Sequence, residues 1–262
     1  MFDFHMHSTV SYDGHDTPLA MAQAALKAGL KEICFTDHVD DDPKCDIPSL
    51  RFTPESYGTA YDTLRIPGLT IRQGMEFGML PGNQRLLNDY LSLQNFDFVL
   101  GSVHYADNQD VYHPPYWRNK SLHEGERKYL EDTYACVTEH DGFDVLAHLT
   151  YISKALANPT HIPVDLTQHR DIVDEILRTL AGKGKGLEIN TSGMDRCGDF
   201  LPGAEFLRRF RELGGEIVTV GSDAHTAGRV GQYTGRACEI LKDIFGYVCT
   251  FEGRKPVFHK LG

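Results

Sequence analysis

Histidine and carboxylate side chains recur in this chain at positions from which they could hold metal ions. The first strand candidate runs into His5-Met6-His7. Alternate side chains of an extended segment point the same way, so these two imidazoles can bind one ion together. Asp13 follows in the turn Ser11-Tyr12-Asp13-Gly14, with His15 two residues on as the alternative ligand. Later come Thr36-Asp37-His38, Gly74-Met75-Glu76, Ser102-Val103-His104, Ala147-His148 and the second alternating pair, Ser222-Asp223-Ala224-His225. The candidate ligands are therefore six imidazoles (His5, His7, His38, His104, His148, His225) and three carboxylates (Asp13, Glu76, Asp223). That is too many for one tetrahedral or octahedral ion, but it suits two or three ions with a bridging carboxylate and a bridging water. Imidazole mixed with carboxylate selects zinc, iron or manganese over calcium or magnesium, and does not choose among those three.

A lone strand-end histidine is commonly a hydrogen-bonded core or rim residue, whereas His-x-His has few structural uses, and the same holds for the Asp223 and His225 pair. A buried Glu76 would otherwise need a cation, and Arg72 lies further down the same strand. His38, His104 and His148 gain weight from their shared placement at strand ends. The remaining histidines (His15, His113, His123, His140, His161, His169, His259) are spread over loops and helices, and most are expected at the surface.

Short apolar runs alternate with longer amphipathic ones, the pattern of βα units around a parallel sheet. The strand candidates are 1–4, 32–36, 69–75, 96–101, 143–147, 186–189 and 216–220. Thr17-Pro18 and Thr53-Pro54 open helices, and Gly214-Gly215 closes one. The segment 247–258 reads as a terminal strand and turn, either an eighth strand or an edge ribbon. In such an architecture functional side chains come from the C-terminal ends of strands and the loops after them. The irregular stretches 39–51 and 106–120 follow strands ending in histidine and would overhang that same face.

The chain has 262 residues, 41% hydrophobic and 24% charged, enough for one large domain over residues 1–262. Its formal net charge of −11 argues against a polynucleotide partner, because phosphate-backbone affinity comes from clustered Lys and Arg. The N-terminus lacks a basic and apolar leader and no run is long enough to span a bilayer, so a cytoplasmic protein without membrane partners is expected. Six cysteines without a C-x-x-C pair read as free thiols. No G-x-S-x-G elbow, P-loop or dinucleotide fingerprint is present.

Taken together, His5-x-His7, Ser11 to Gly14, Thr36 to His38, Gly74 to Glu76, Gly101 to His104, Ala147 to Leu149, the E-I-N-T-S-G of Glu188 to Gly193 and the G-S-D-A-H of Gly221 to His225 resemble the polymerase and histidinol phosphatase (PHP) superfamily. Within it, E-I-N-T-S-G and the segment from Lys120 into 129–137 are similar to the histidinol-phosphate phosphatases. The resemblance implies an α/β fold, a distorted (β/α)7 TIM-like barrel, with three divalent metal ions. Carried over, His5, His7, Glu76 and Asp223 would hold one ion; Glu76, His104 and His148 a second; Asp13, His38 and His225 a third. Catalysis would rest on Asp223, His225 and Glu76. After Ala147-His148-Leu149 the chain has Thr150 where the family usually has Asp, and only Lys154 of a basic pair nearby.

The expected reaction is metal-dependent hydrolysis of a phosphate monoester by a metal-bridging hydroxide, with L-histidinol phosphate as the small phosphorylated substrate. Phosphotyrosine or a nucleotide 5′-phosphate is the alternative substrate, and a metal-stabilised interaction module the non-enzymatic alternative. Phosphate needs fixed cationic donors, for which Arg196, Lys154, Arg118 and Arg229 are the candidates. An amino-alcohol phosphate also needs an acid for its ammonium: Asp107, Asp110 or the run Asp40 to Asp42, although a loop run of this kind is ordinarily solvated.

Overall fold

The computed structural model describes residues 1–155 and 161–262. In chain order the structure begins with β1 (Phe2–Asp3), α1 (Pro18–Lys27), β2 (Glu32–Phe35), β3 (His38–Val39), α2 (Pro54–Tyr61), β4 (Thr70–Gly78), α3 (Gln84–Leu93) and β5 (Phe98–Ser102). A small hairpin, β6 (Tyr105–Ala106) and β7 (Gln109–Asp110), leads into α4 (Pro114–Trp117), α5 (Leu122–Glu139) and β8 (Val145–Leu146). Then follow α6 (Arg170–Gly182), β9 (Gly186–Asn190), α7 (Ala204–Glu212), β10 (Val218–Gly221), α8 (Thr234–Ile244) and the antiparallel pair β11 (Tyr247–Glu252) and β12 (Lys255–Lys260).

Seven strands form one parallel sheet in the order β1-β2-β4-β5-β8-β9-β10, and β3 pairs with the end of β4. The first and last strands meet through backbone hydrogen bonds: Phe4 N donates to Val220 O at 2.9 Å, Asp223 N to His5 O at 2.7 Å and His7 N to Ala224 O at 2.9 Å. The result is the distorted seven-stranded α/β barrel that the sequence implied. Strands β5 and β9 are buried along their whole length, as parallel strands covered on both faces must be.

Helix starts follow local chemistry. Thr17 accepts from Ala20 N ahead of Pro18, while Thr53 with Ser56 and Ser121 with Glu124 satisfy each other's backbone amides reciprocally. Alternate residues of a strand face opposite sides. Val99 accordingly joins the layer between sheet and helices, whereas Phe98 and Leu100 pack inside the barrel with Phe4, Cys34, Val145 and Ala147.

The terminal segment is not an eighth barrel strand. Among the described residues β11 and β12 pair only with each other, and Phe251 joins the interior cluster, where it is 2% exposed. The ribbon's turn is fixed to the barrel: Gly253 N donates to Asp97 Oδ1 at 2.9 Å, and Arg254 donates to Asp144 and to the carbonyl of Gly142. The stretches expected to be irregular also carry structure, since 39–51 begins on β3 and 106–120 contains the rest of the β6–β7 hairpin and α4. Among the described residues, no helix is long and apolar enough to cross a membrane. All six cysteines are free, and Cys34, Cys136, Cys238 and Cys249 are buried.

Because Phe251 fills the barrel interior from below, Phe251→Ala is expected to lower unfolding free energy by about 3–5 kcal/mol in urea denaturation. A loss under about 1 kcal/mol would show that the ribbon is peripheral to the core.

Candidate metal centre

Strand β4 carries Glu76 to the rim of the barrel interior, where it is 1% exposed and ringed by five imidazoles from four other segments. Its Oε2 lies 3.0 Å from His5 Nε2, 3.2 Å from His7 Nε2 and 3.3 Å from His38 Nδ1. Its Oε1 lies 2.7 Å from His148 Nε2 and 3.2 Å from His104 Nε2, and accepts from Ser102 Oγ at 2.6 Å. Asp223 Oδ1 stands 3.4 Å from His7 Nε2 and 3.6 Å from His5 Nε2. On the outer side, Asp13 Oδ2 lies 3.1 Å from His225 Nε2 and 3.5 Å from His38 Nε2.

These donors fall into groups that could each hold an ion: His5, His7, Glu76 and Asp223; Glu76, His104 and His148; and His7, Asp13, His38 and His225. A further group joins His38 and His104 to Asp40. Hydrogen bonding alone does not satisfy such an assembly. A carboxylate offers about four lone-pair sites, and Glu76 faces five imidazoles and a hydroxyl. His7 Nε2, His38 Nδ1 and Asp13 Oδ1 are buried without a hydrogen-bond partner. Orphaned nitrogen and oxygen donors converging on one point fit divalent cations.

The outward nitrogens are fixed by acceptors. His5 Nδ1 donates to Glu188 Oε1 at 2.8 Å, His7 Nδ1 to Ser11 Oγ at 3.2 Å, His104 Nδ1 to Asp40 Oδ1 at 3.2 Å and His225 Nδ1 to the carbonyl of Asp223 at 2.9 Å. Each bond selects the tautomer that leaves the Nε2 lone pair aimed inward. Glu188 Oε2 also accepts from His148 N at 2.9 Å and Asn190 Nδ2 at 3.1 Å, tying two candidate ligands to one carboxylate. Close approach requires glycine here: a Cβ on Gly221 would lie 2.2 Å from Glu188 Oε1, and one on Gly14, beside Asp13, only 1.8 Å from Ser8 O. His148 and Asp223 adopt φ of 24° and 55°, a left-handed conformation that costs free energy and concentrates at functional sites.

Electrostatics keeps the carboxylates ionised. Burial pushes Glu76 up, but the surrounding imidazoles, His5 and His38 foremost, outweigh it and hold the group well below the usual range. Asp223 is likewise held well below it, burial being overcome by Lys154 and His5. Burial opposes protonation of His5, yet Glu188, Glu76 and Asp223 raise its pKa well above the ordinary value. His104 is raised in the same way by Asp40 and Glu76 against burial, whereas burial lowers His148.

All nine sequence candidates meet in this cluster. His15 is exposed, and Asp13 occupies the inner position. Of the other histidines expected at the surface, His140 and His169 are buried, held by Asn83 and Glu126 respectively. A cavity of about 670 Å³ opens over the cluster, with Lys154, Arg196 and Arg229 in its lining. Lys154 Nζ donates to Asp223 Oδ2 at 2.6 Å and Ser192 Oγ at 2.7 Å, Arg229 pairs with Asp195 at 2.6 Å, and the Arg196 guanidinium lies 5.5 Å from the Tyr112 ring centre. Arg118 is exposed at the end of α4 and does not line the cavity.

Sequence reasoning gave no ligand-orienting role to three supporting residues. Asp40, offered there as an acid for an ammonium on a solvated run, is instead 3% exposed, because its amide bonds Leu50 O and its carboxylate reaches His104 and the Tyr12 hydroxyl. Ser11 links His7 and His38 N to the buried Asp37. Glu188 carried a signal, since a charged residue inside the apolar run Gly186–Asn190 must find partners.

A model of the PHP domain matches residues 3–192. The histidinol-phosphatase of Lactococcus lactis subsp. lactis (strain IL1403) is 31% identical over 97% of this chain and 95% of its own length. The probable histidinol-phosphatase of Thermotoga maritima is 30% identical with both chains covered completely. The crystal structure of the Lactococcus lactis histidinol phosphate phosphatase complexed with zinc, L-histidinol and phosphate superposes with a TM-score of 0.87, at 28% identity and 98% coverage of each chain.

Glu188→Gln keeps the shape of the side chain and removes the charge that orients His5 and the backbone of His148. Metal affinity, measured by competition with a chelating dye, is expected to fall about 10- to 100-fold. Unchanged affinity would mean that Glu188 does not position these ligands.

Proposed function

The chain belongs to the PHP domain family, and on that premise we propose that it is a metal-dependent phosphatase hydrolysing L-histidinol phosphate to L-histidinol and inorganic phosphate. The observation that carries the reading is the buried Glu76 carboxylate, encircled by five imidazoles directly beneath a cavity with Lys154 and Arg196 in its wall. The full-length likeness to histidinol-phosphatases supports the substrate. Residues 1–262 act as one phosphoesterase domain in this account.

Three ions are assigned to the site, with zinc, iron and manganese all compatible with its donors. His5, His7, Glu76 and Asp223 would hold one; Glu76, His104 and His148 the second; Asp13, His38 and His225, beside His7, the third. When bound, divalent ions of this kind activate water at neutral pH and neutralise charge on the phosphoryl oxygens. The protein's part is placement. Glu76 and Asp223, kept ionised by the imidazoles and Lys154, supply negative charge at the centre, and Glu188, Ser11 and Asp40 hold the histidine rings in register. Lys154 and Arg196 offer the fixed cationic donors that a phosphate dianion needs, and Arg229 contributes from beside Asp195. The ring of Tyr151 packs against both His104 and His148, with centroids 5.2 Å and 5.0 Å away, and Tyr112 backs Tyr151 at 6.2 Å.

His104→Ala and Asp223→Ala are expected to abolish hydrolysis of L-histidinol phosphate and to lower bound metal by elemental analysis, with the far-UV circular dichroism of the parent. Chelation should abolish the activity of the parent, with recovery on adding zinc, iron(II) or manganese. A panel including phosphotyrosine and a nucleotide 5′-phosphate should show the highest kcat/KM for L-histidinol phosphate. Full activity in either variant, or a higher kcat/KM for another ester, would overturn the assignment.

A further inference from the structure

Three buried acids remote from the metal centre are matched by basic side chains: Asp144 accepts from Arg254, Asp174 from Arg209, and Glu126 lies 3.0 Å from His169 Nε2. Asp3 at the end of β1 is different. It is fully buried, and among the described residues no Lys, Arg or His side chain stands within ion-pair distance of it. Its Oδ1 accepts from Ser222 N at 2.8 Å and, at the limit of hydrogen bonding, from His5 N at 3.5 Å. Its Oδ2 accepts from Ser222 Oγ at 2.5 Å and Gly231 N at 2.8 Å. Four donors thus meet the about four lone-pair sites of a carboxylate, in place of the cation that its burial would otherwise demand.

These bonds join both ends of the segment 222–231 to β1. Between the two ends lie Asp223, His225 and Arg229. Asp223 has a φ of 55°, a conformation that persists only where the surrounding structure over-determines it. Asp3 holds the preceding residue, Ser222, through both its amide and its hydroxyl, and Asp223 N itself donates to His5 O at 2.7 Å. At the far end the bond to Gly231 fixes the chain two residues beyond Arg229, which pairs with Asp195 at 2.6 Å. The chemistry of this clamp is narrow, because each oxygen of Asp3 faces a backbone N–H, which can only donate. An asparagine in either orientation sets its own NH2 against Ser222 N–H or Gly231 N–H, so the carboxylate satisfies both ends where the amide cannot.

We propose that Asp3 is a positioning residue for the hydrolysis: by clamping both ends of the loop after β10 it holds Asp223 and His225 at the metal centre and Arg229 at the cavity wall. The inference rests on the reading of Asp223 and His225 as metal ligands. Asp3 does not line the cavity or the inner recess, so it acts through the loop and not on the substrate.

The test compares the Zn²⁺ affinity of the folded protein, by competition with a chelating dye, in the parent, in Asp3→Asn and in Phe251→Ala, whose truncation lies in the interior cluster and leaves the loop intact. Asp3→Asn is expected to bind Zn²⁺ about 10- to 100-fold more weakly than the parent. Phe251→Ala, although less stable to urea, is expected to keep the parent affinity, which separates positioning from a general loss of stability. Asp3→Ala, which removes the acceptors without opposing the two amides, takes the place of Asp3→Asn should that variant not fold, and is expected to weaken Zn²⁺ binding in the same direction. Parent affinity in the Asp3 variant, or an equal loss in Phe251→Ala, would overturn the role of Asp3 while leaving the metal centre in place. A parent that binds no Zn²⁺ would overturn the metal-ligand reading as well.

Discussion

Taking an ionised carboxylate out of water costs several kcal/mol unless charge and hydrogen bonds compensate it. Glu76 is in that position, nearly inaccessible at the rim of the barrel interior, and the architecture around it can be understood as its compensation. Five imidazoles are brought within 3.3 Å of its two oxygens from segments far apart in the chain. Their orientation depends in turn on a surrounding set of acceptors, Glu188, Ser11 and Asp40, each buried and each fixed by further bonds. Below, the apolar plug of Phe4, Phe98, Leu100 and Phe251 excludes water from the opposite side. With cations among these donors the positive charge is permanent, and the cluster gains a reason to exist beyond its own stability.

How far this could be read in the sequence depends on which physical rule was in play. Periodicity identifies parallel strands, and a parallel barrel collects every strand end on one rim, so His5, His7, Glu76, His104, His148 and Asp223 could be placed together before any coordinates were known. The terminal ribbon was ambiguous because 247–258 alternates equally well for a barrel strand and a free hairpin; the anchoring of its turn by Asp97 and Asp144 is a tertiary effect. Asp40 escaped because an acidic run on a loop is ordinarily solvated, and only the bond from its amide to Leu50 O draws it under the roof of the site. Arg118 illustrates the converse: its loop lies on the functional face, yet α4 ends with that side chain pointing into solvent. His140 and His169 are buried through partners that no local pattern announces.

Chemistry and selectivity are divided between different parts of the fold. The metal centre is built from strand ends, the most rigid positions available, which suits donors whose geometry must be held closely. The cavity wall is built from the loops after β1 and β5, through Tyr12, Tyr105, Asp110 and Tyr112, with Tyr151 bridging wall and centre. Loop substitution could therefore alter the substrate while leaving the reaction untouched, as is general for barrels of this type.

The central claim, that Glu76 lies among divalent ions, is tested most directly by anomalous diffraction from crystals of the purified protein at the zinc, iron and manganese edges. The account predicts anomalous peaks at about 2.0–2.2 Å from Glu76 oxygens, one shared with His5, His7 and Asp223 and another with His104 and His148. A map with no anomalous peak against Glu76 in protein that retains phosphatase activity would contradict it.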